Sequence, residues 1–183
     1  EDKNFIAYDI CAVNTILNNL SLKLGKDYDF NGNFAKKGNI VYELFDELNQ
    51  IDFYKKSYPK SLSIEWNKKF IWPLINKYQS FSIYDLLRTY IEHISFQISN
   101  AFSKNQKVLV TGGGAFNKFL ISNLKNKSFA KFVIPKPEII NYKEAIIFGF
   151  LGVLKLRNEI NCLSSITGAK KDHSSGVIFE LKK

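Results

Sequence analysis

Apolar and polar positions along the 183-residue chain fall into blocks that predict helices, short strands and turns. Residues 5–10, Phe-Ile-Ala-Tyr-Asp-Ile, are apolar and β-leaning and predict a strand end with Asp9 at its exit. Val13, Ile16, Leu17, Leu20 and Leu24 then recur at helical spacing, and Gly25 is placed to stop that helix. Residues 26–38 are rich in Asp, Asn and Gly and predict turns. Ile40, Val41, Leu44, Phe45 and Leu48 mark a second amphipathic helix over 39–50. Residues 52–80 hold Pro59, Pro73, Trp66 and Trp72 among many lysines, and predict an irregular connection with a short helix near 66–78. Ser82, with Asp85 three residues on, makes a capping-box-like start to a long helix. Its stripe, from Ile83 through Leu87, Ile91 and Ile94 to Phe102, runs to about Ser103.

The pattern changes at Lys107. Val108-Leu109-Val110 is a short apolar run of the kind a buried parallel strand shows. Gly112-Gly113-Gly114 follows at once, then Asn117 and a helix through Phe119, Leu120 and Leu124. A further strand is expected at 131–134, closed by Pro135 and Pro137, and then a helix over 142–157. Ala145, Gly149 and Gly152 lie near one side of that helix and invite close packing. Thr167-Gly168-Ala169 predicts a turn, and 176–181 a last strand. Strand-to-helix alternation in this half argues an α/β fold.

Composition narrows the class. With 45% hydrophobic and 23% charged residues, the chain has the ordinary globular balance, which excludes intrinsic disorder. No apolar run approaches the ~20 residues a membrane-spanning helix needs, and no charged-then-apolar leader is visible. Cys11 and Cys162, far apart, form no disulfide scaffold, and with His93 and His173 they give no zinc signature; no metal site is expected. The formal charge of +9 raises a nucleic-acid reading. Of the 26 basic residues, however, only Arg88 and Arg157 are arginines, and the lysines are scattered. A solvated, lysine-rich surface fits better than a nucleic-acid face. The chain opens on Glu1 and contains no methionine, so it is expected to be a piece of a longer reading frame, with part of any site upstream.

Three places can carry chemistry. The segment Val108–Asn117 runs from a buried strand through three glycines into a helix start. Gly112, Gly113 and Gly114 let a ligand approach the backbone, and the helix start presents free N–H groups; a tight turn is the alternative. Asp9 stands at the end of a predicted strand, before the predicted helix, where open α/β sheets bind ligands. It can take a proton from water or an alcohol, or hold Mg²⁺; its alternative is an N-cap. Asn14 can contact a ligand or satisfy the helix start. Glu144 is expected in the first turn of the late helix, where its charge suits the dipole, with a ligand contact as the alternative. His93 is expected partly buried on the long helix, His173 solvated, and Cys11, without a histidine partner, is not expected to be a nucleophile.

Taken in order, these segments resemble one family. YDICAVNTILNNLSLKLGKDYDFNGNFAKKG (8–38) resembles the second phosphate-contacting segment of the anhydro-N-acetylmuramic acid kinases. VLVTGGGAFN (108–117) resembles their adenosine motif, and YKEAIIFGFLGVLKLRNEINCLSSITGAKKDHSSGVIF (142–179) their C-terminal signature. The resemblance implies an actin-like ATPase (ribonuclease H-like) lobe: a mixed sheet flanked by helices, with a helical insertion. It also implies that residues 1–183 are a single C-terminal lobe, with the N-terminal lobe and its phosphate loop outside this chain. The implied reaction phosphorylates 1,6-anhydro-N-acetylmuramic acid with ATP and Mg²⁺ and hydrolyses the anhydro ring, in bacterial, cytoplasmic peptidoglycan recycling. Asp9 then corresponds to the base, Asn14, Gly112, Gly113, Gly114 and Asn117 to the nucleotide site, and Glu144 to a glutamate near the sugar. The partners implied are the amino sugar, ATP and the N-terminal lobe, with no nucleic acid and no membrane, and with a homodimer through the long helix left open. One motif departs from the family: Asp-Thr-Gly-Pro-Gly-Asn reads Asp-Ile-Cys-Ala-Val-Asn here, keeping Asp9 and Asn14 and losing both glycines. That departure favours the alternative of a non-catalytic actin-like relative that binds a nucleotide or sugar.

Overall fold

In the computed structural model, which describes residues 5–179, the first half builds the helices its stripes predict. α1 (Asn14–Leu22) buries Ile16, Leu17 and Leu20, and Gly25 (φ 71°) ends the turn that follows it. Residues 26–38 form two short 3₁₀ turns, Phe30–Gly32 and Ala35–Lys37. The buried Asp29 carboxylate holds them together by accepting the N–H groups of Phe34 (2.8 Å) and Ala35 (2.9 Å). α2 (Tyr42–Gln50) buries Leu44 and Leu48.

The stretch expected to be irregular is more helical than its prolines and lysines suggest. It contains α3 (Asp52–Lys55), α4 (Ile64–Trp66), a π turn (Asn67–Ile71) and α5 (Trp72–Lys77). The π turn closes where the Trp72 N–H reaches back to Asn67 O, one residue before Pro73. Pro73 has no N–H to give and its ring collides with a carbonyl four residues back, so a wider turn just ahead of it relieves both problems.

α6 (Ile83–Asn100) is the central element of the first half. The capping box forms as predicted: Ser82 Oγ accepts the Asp85 N–H at 3.1 Å and donates to Asp85 Oδ2 at 2.6 Å. Asp85 Oδ1 also accepts the Asn39 N–H (2.7 Å), and Thr89 Oγ1 accepts the Val41 N–H (2.9 Å). The backbone at Gly38 lies so close to Tyr84 O that a side chain there has no room. Leu86, Leu87, Tyr90, Ile91 and Ile94 are fully buried, each worth roughly 1.5–3 kcal/mol of hydrophobic stabilisation.

β1 (Lys107–Leu109) and β2 (Lys131–Val133) pair in parallel, Val108 opposite Phe132, and α7 (Lys118–Lys127) crosses between them. The described residues are thus mixed α/β, with a small parallel sheet. Two expected strands are not found. Residues 5–10 are irregular: Asp9 makes a single backbone bond, to Lys60 O at 3.0 Å, and a strand needs a full ladder. Residues 176–179 are irregular too, and 180–181 lie outside the described residues.

Contacts divide the chain into two units, Tyr8–Lys136 and the remainder. In the second unit, α8 (Pro137–Leu156) starts at a proline, five residues earlier than predicted. Glu138 occupies its first turn and Glu144 does not, so the dipole argument for Glu144 fails. Phe148, Phe150 and Leu156 are exposed, and no described atom lies within 4 Å of a side chain built at Gly149 or Gly152. α9 (Ser164–Thr167) ends at Gly168 (φ 72°), the predicted turn. His173 is only half-exposed, because its backbone bridges to Cys162. No helix among the described residues is long and apolar enough to cross a membrane.

Candidate functional site

The glycine bend is built as a launching point for α7. Gly112 takes φ 78°, a conformation that favours glycine, and the chain then makes a 3₁₀ turn over Gly113–Phe116. The turn's first hydrogen bond runs from the Ala115 N–H to Gly112 O at 3.0 Å. Asn117 ends the turn and caps α7, its Oδ1 accepting the Leu120 N–H at 3.0 Å. Opposite stands Asn14, the first residue of α1: a side chain built at Gly113 meets Asn14 Nδ2 at 3.1 Å, and one at Gly114 meets Asn14 Oδ1 at 3.7 Å.

These residues open onto a cavity of about 950 Å³ lined by Asn14, Gly113 and Asn117, by Phe30 and Asn31 of the first 3₁₀ turn with Tyr28 just before it, and by Lys118 and Lys125 from α7. That volume lies at the upper end of the ~300–1,000 Å³ usual for small-molecule sites. Aromatic faces, amide side chains and two ammonium groups in one concavity can hold a flat ring and an anion. The aromatic wall belongs to a turn that adopts left-handed backbone at Asn31 (φ 57°) and Gly32 (φ 73°). Gly32 packs directly on Asn117: a side chain built there would meet Asn117 Oδ1 and Phe119 Cβ at 2.5 Å each. Among sequence signals only the Asp-Tyr-Asp-Phe-Asn-Gly run pointed to this wall; Lys118 and Lys125 carried none.

Three of the predicted nucleotide-site residues, Asn14, Gly113 and Asn117, thus meet at one cavity. Gly112 and Gly114 form the bend behind it and do not line it. Asp9 does not line it either. It is no N-cap, since Val13 holds that position of α1. Its Oδ2 accepts the Leu62 N–H at 2.7 Å. Glu144 belongs to the other unit, exposed on α8.

Two links fix the halves of the cavity. Tyr90, buried on α6, donates its hydroxyl to Ala12 O at 2.9 Å and so anchors the segment between Asp9 and Asn14. Glu92, also buried on α6, takes Arg88 Nη2 on one oxygen (3.0 Å) and Lys127 Nζ on the other (2.8 Å), tying α7 to α6. The Arg88 guanidinium also lies 4.8 Å from the centre of the Phe119 ring.

Cys11 and Val13, which stand where the resemblance implies glycines, have visible surroundings. Val13 stands beside the bend, with Cγ1 3.9 Å from where a Gly114 side chain would begin. Cys11 packs against the core, and burial pushes its thiol to about 12 against the opposing charge of Lys60. A thiol so hard to ionise is a poor nucleophile, as its missing histidine partner predicted. His93 is fully buried rather than partly. Its Nδ1–H donates to Asn49 Oδ1 (2.8 Å), which also accepts Gln97 Nε2 (2.8 Å), and its Nε2 accepts the Tyr54 hydroxyl (3.0 Å). Burial lowers its pKa from 6.5 to about 3. Among the described residues no three His, Cys, Asp or Glu side chains gather to hold a metal.

A family model described as anhydro-N-acetylmuramic acid kinase matches residues 1–181. The chain is similar to the anhydro-N-acetylmuramic acid kinase of Mannheimia succiniciproducens, 32% identical over 190 residues, which cover 95% of this chain and 51% of that protein. The namesake from Haemophilus influenzae is 31% identical, over 95% of this chain and 51% of its own length. The one from Sulfurovum sp. is 29% identical, over 97% and 50%. The chain therefore spans about half the length of the curated relatives it matches. Since the family match passes through the glycine bend, the aromatic turn and α8 alike, the chain belongs to the anhydro-N-acetylmuramic acid kinase family.

Proposed function

We propose that this chain is the C-terminal lobe, with an actin-like fold, of a kinase that phosphorylates 1,6-anhydro-N-acetylmuramic acid with ATP and opens its anhydro ring. The observation that carries the reading is the shared cavity of Asn14, Gly113 and Asn117, because two segments distant in sequence, the start of α1 and the glycine bend, supply it in the places the family resemblance names. In this reading the adenosine lies against the glycine bend, with Gly112 and Gly114 holding the bend and Asn117 both capping α7 and facing the ligand. Mg²⁺ arrives with the nucleotide as its counter-ion, since phosphoryl-transfer sites mainly position groups and neutralise charge. Asp9 takes the proton of the water that attacks the anomeric carbon, and ring opening frees the 6-oxygen to accept the γ-phosphoryl group. Glu144 contacts the sugar, and the second lobe supplies the phosphate loop.

A general base contributes on the order of 10²–10⁴ in rate. Asp9→Asn in the full-length protein is therefore expected to abolish turnover while Mg-ATP still raises the melting temperature. More than a tenth of wild-type activity left in that variant would refute the base. A second reading, a non-catalytic relative, is favoured by Val13 standing against Gly114 where the family has a glycine at position 13. It predicts that the full-length wild-type protein binds Mg-ATP or the sugar and turns neither over.

A further inference from the structure

Asp9 is held on two sides by one irregular strap, residues 58–62. Its N–H donates to Lys60 O at 3.0 Å, and its Oδ2 accepts the Leu62 N–H at 2.7 Å. The strap is pinned in turn. Tyr58 stacks on Tyr8, ring centres 5.8 Å apart and planes 22° from parallel. Lys60 Nζ lies 4.8 Å from the centre of the Phe53 ring and 5.9 Å from that of Tyr8, and donates to Phe53 O at 3.4 Å. Phe53 is buried and packs on Trp66 at 5.0 Å, so the anchor reaches the interior. An exposed aspartate ordinarily turns about two side-chain bonds. Here the backbone is tied, and one carboxylate oxygen is engaged in a short hydrogen bond from an amide.

We infer that residues 58–62 are a positioning device for Asp9: the Leu62 N–H holds Oδ2, so that Oδ1 is the oxygen presented to water. The inference rests on the reading of Asp9 as the base. Leu62 and Lys60 act through Asp9 and are positioning residues. The gain is orientation, since a base already aimed needs no reorganisation when the water arrives, and an ångström of misplacement can cost about 10²-fold in rate.

The test uses the full-length protein, with kcat and KM measured for Mg-ATP and the anhydro sugar. Replacing leucine at position 62 by leucic acid turns the amide into an ester and removes the donor alone. The expected result is a ten- to hundredfold fall in kcat with KM for ATP within twofold of wild type. Leu62→Pro removes the same N–H by ordinary mutagenesis and should match it; if that variant does not fold, the ester decides. An ester variant with kcat within twofold of wild type, beside an inactive Asp9→Asn, overturns the strap and leaves the base standing. A fall in kcat accompanied by an equal rise in KM for ATP also overturns it, in favour of a purely structural clamp. Activity retained by Asp9→Asn, or no turnover by the wild-type protein, overturns the base and the strap together.

Discussion

Gly32 illustrates how much one residue can decide. It has left-handed backbone and no space for a side chain, because Asn117 and Phe119 press on it. Gly32→Ala is expected to destabilise the protein by about 2–4 kcal/mol, combining backbone strain with overpacking, and urea denaturation would measure it. A loss below ~0.5 kcal/mol would mean that the aromatic turn and the glycine bend are not coupled. His93 makes a pH prediction. Unfolded, it binds a proton near 6.5; folded, it binds none until about pH 3. Its contribution to stability is therefore complete above pH 6.5 and is lost as the pH falls from there toward 3, by up to ~1.4 kcal/mol per unit. Urea midpoints at pH 7 and pH 5 should drop in the wild-type chain and drop less in His93→Gln. The sequence marked His93 only as a partly buried helix residue, because its partners Asn49 and Tyr54 come from two other helices, α2 and α3, that meet α6 only in the fold.

At the scale of elements, regular stripes were readable and partnerships were not. The Ser82 cap and the apolar face of α6 follow from local chemistry, and both form; Asn117, read as a nucleotide-site residue, also caps α7. The strand expected at 5–10 does not form, since alternation and β-leaning residues make a strand only where a neighbour completes the ladder. The boundary of α8 moved because Pro137, read as the close of a strand, serves as the first residue of a helix. The link between α6 and α7 was invisible in sequence: Glu92, Arg88 and Lys127 are ordinary helix charges until packing buries the carboxylate. Removing that charge leaves Arg88 without its counter-ion. Glu92→Gln is expected to cost about 2–3 kcal/mol, less than a fully buried pair because Lys127 is partly solvated. Thermal unfolding would show it, and a melting temperature unchanged within a degree would assign α7 its position by apolar packing alone.

For the whole molecule, the family was legible from ordered motifs. The chain spans about half of its relatives, and the proposed reaction draws its phosphate loop from another lobe. The 183-residue chain alone is expected to give no detectable phosphorylation of the anhydro sugar, in an assay where the full-length protein turns over. Product formed by the isolated chain would place the whole reaction within Tyr8–Lys136 and its companion unit, and would remove the need for a second lobe.

Local sequence alone determined the Ser82 cap, the helical stripes, the glycine bend and the family, because each depends on near neighbours or on an ordered set of motifs. Only the tertiary structure decided that Asn14, Gly113 and Asn117 share a cavity with an aromatic turn, that Asp9 is clamped by Leu62, and that His93 and Glu92 are buried. Such facts depend on which distant segments touch. Hydrophobic burial selects those contacts over the whole chain at once, and no short window of sequence contains both partners.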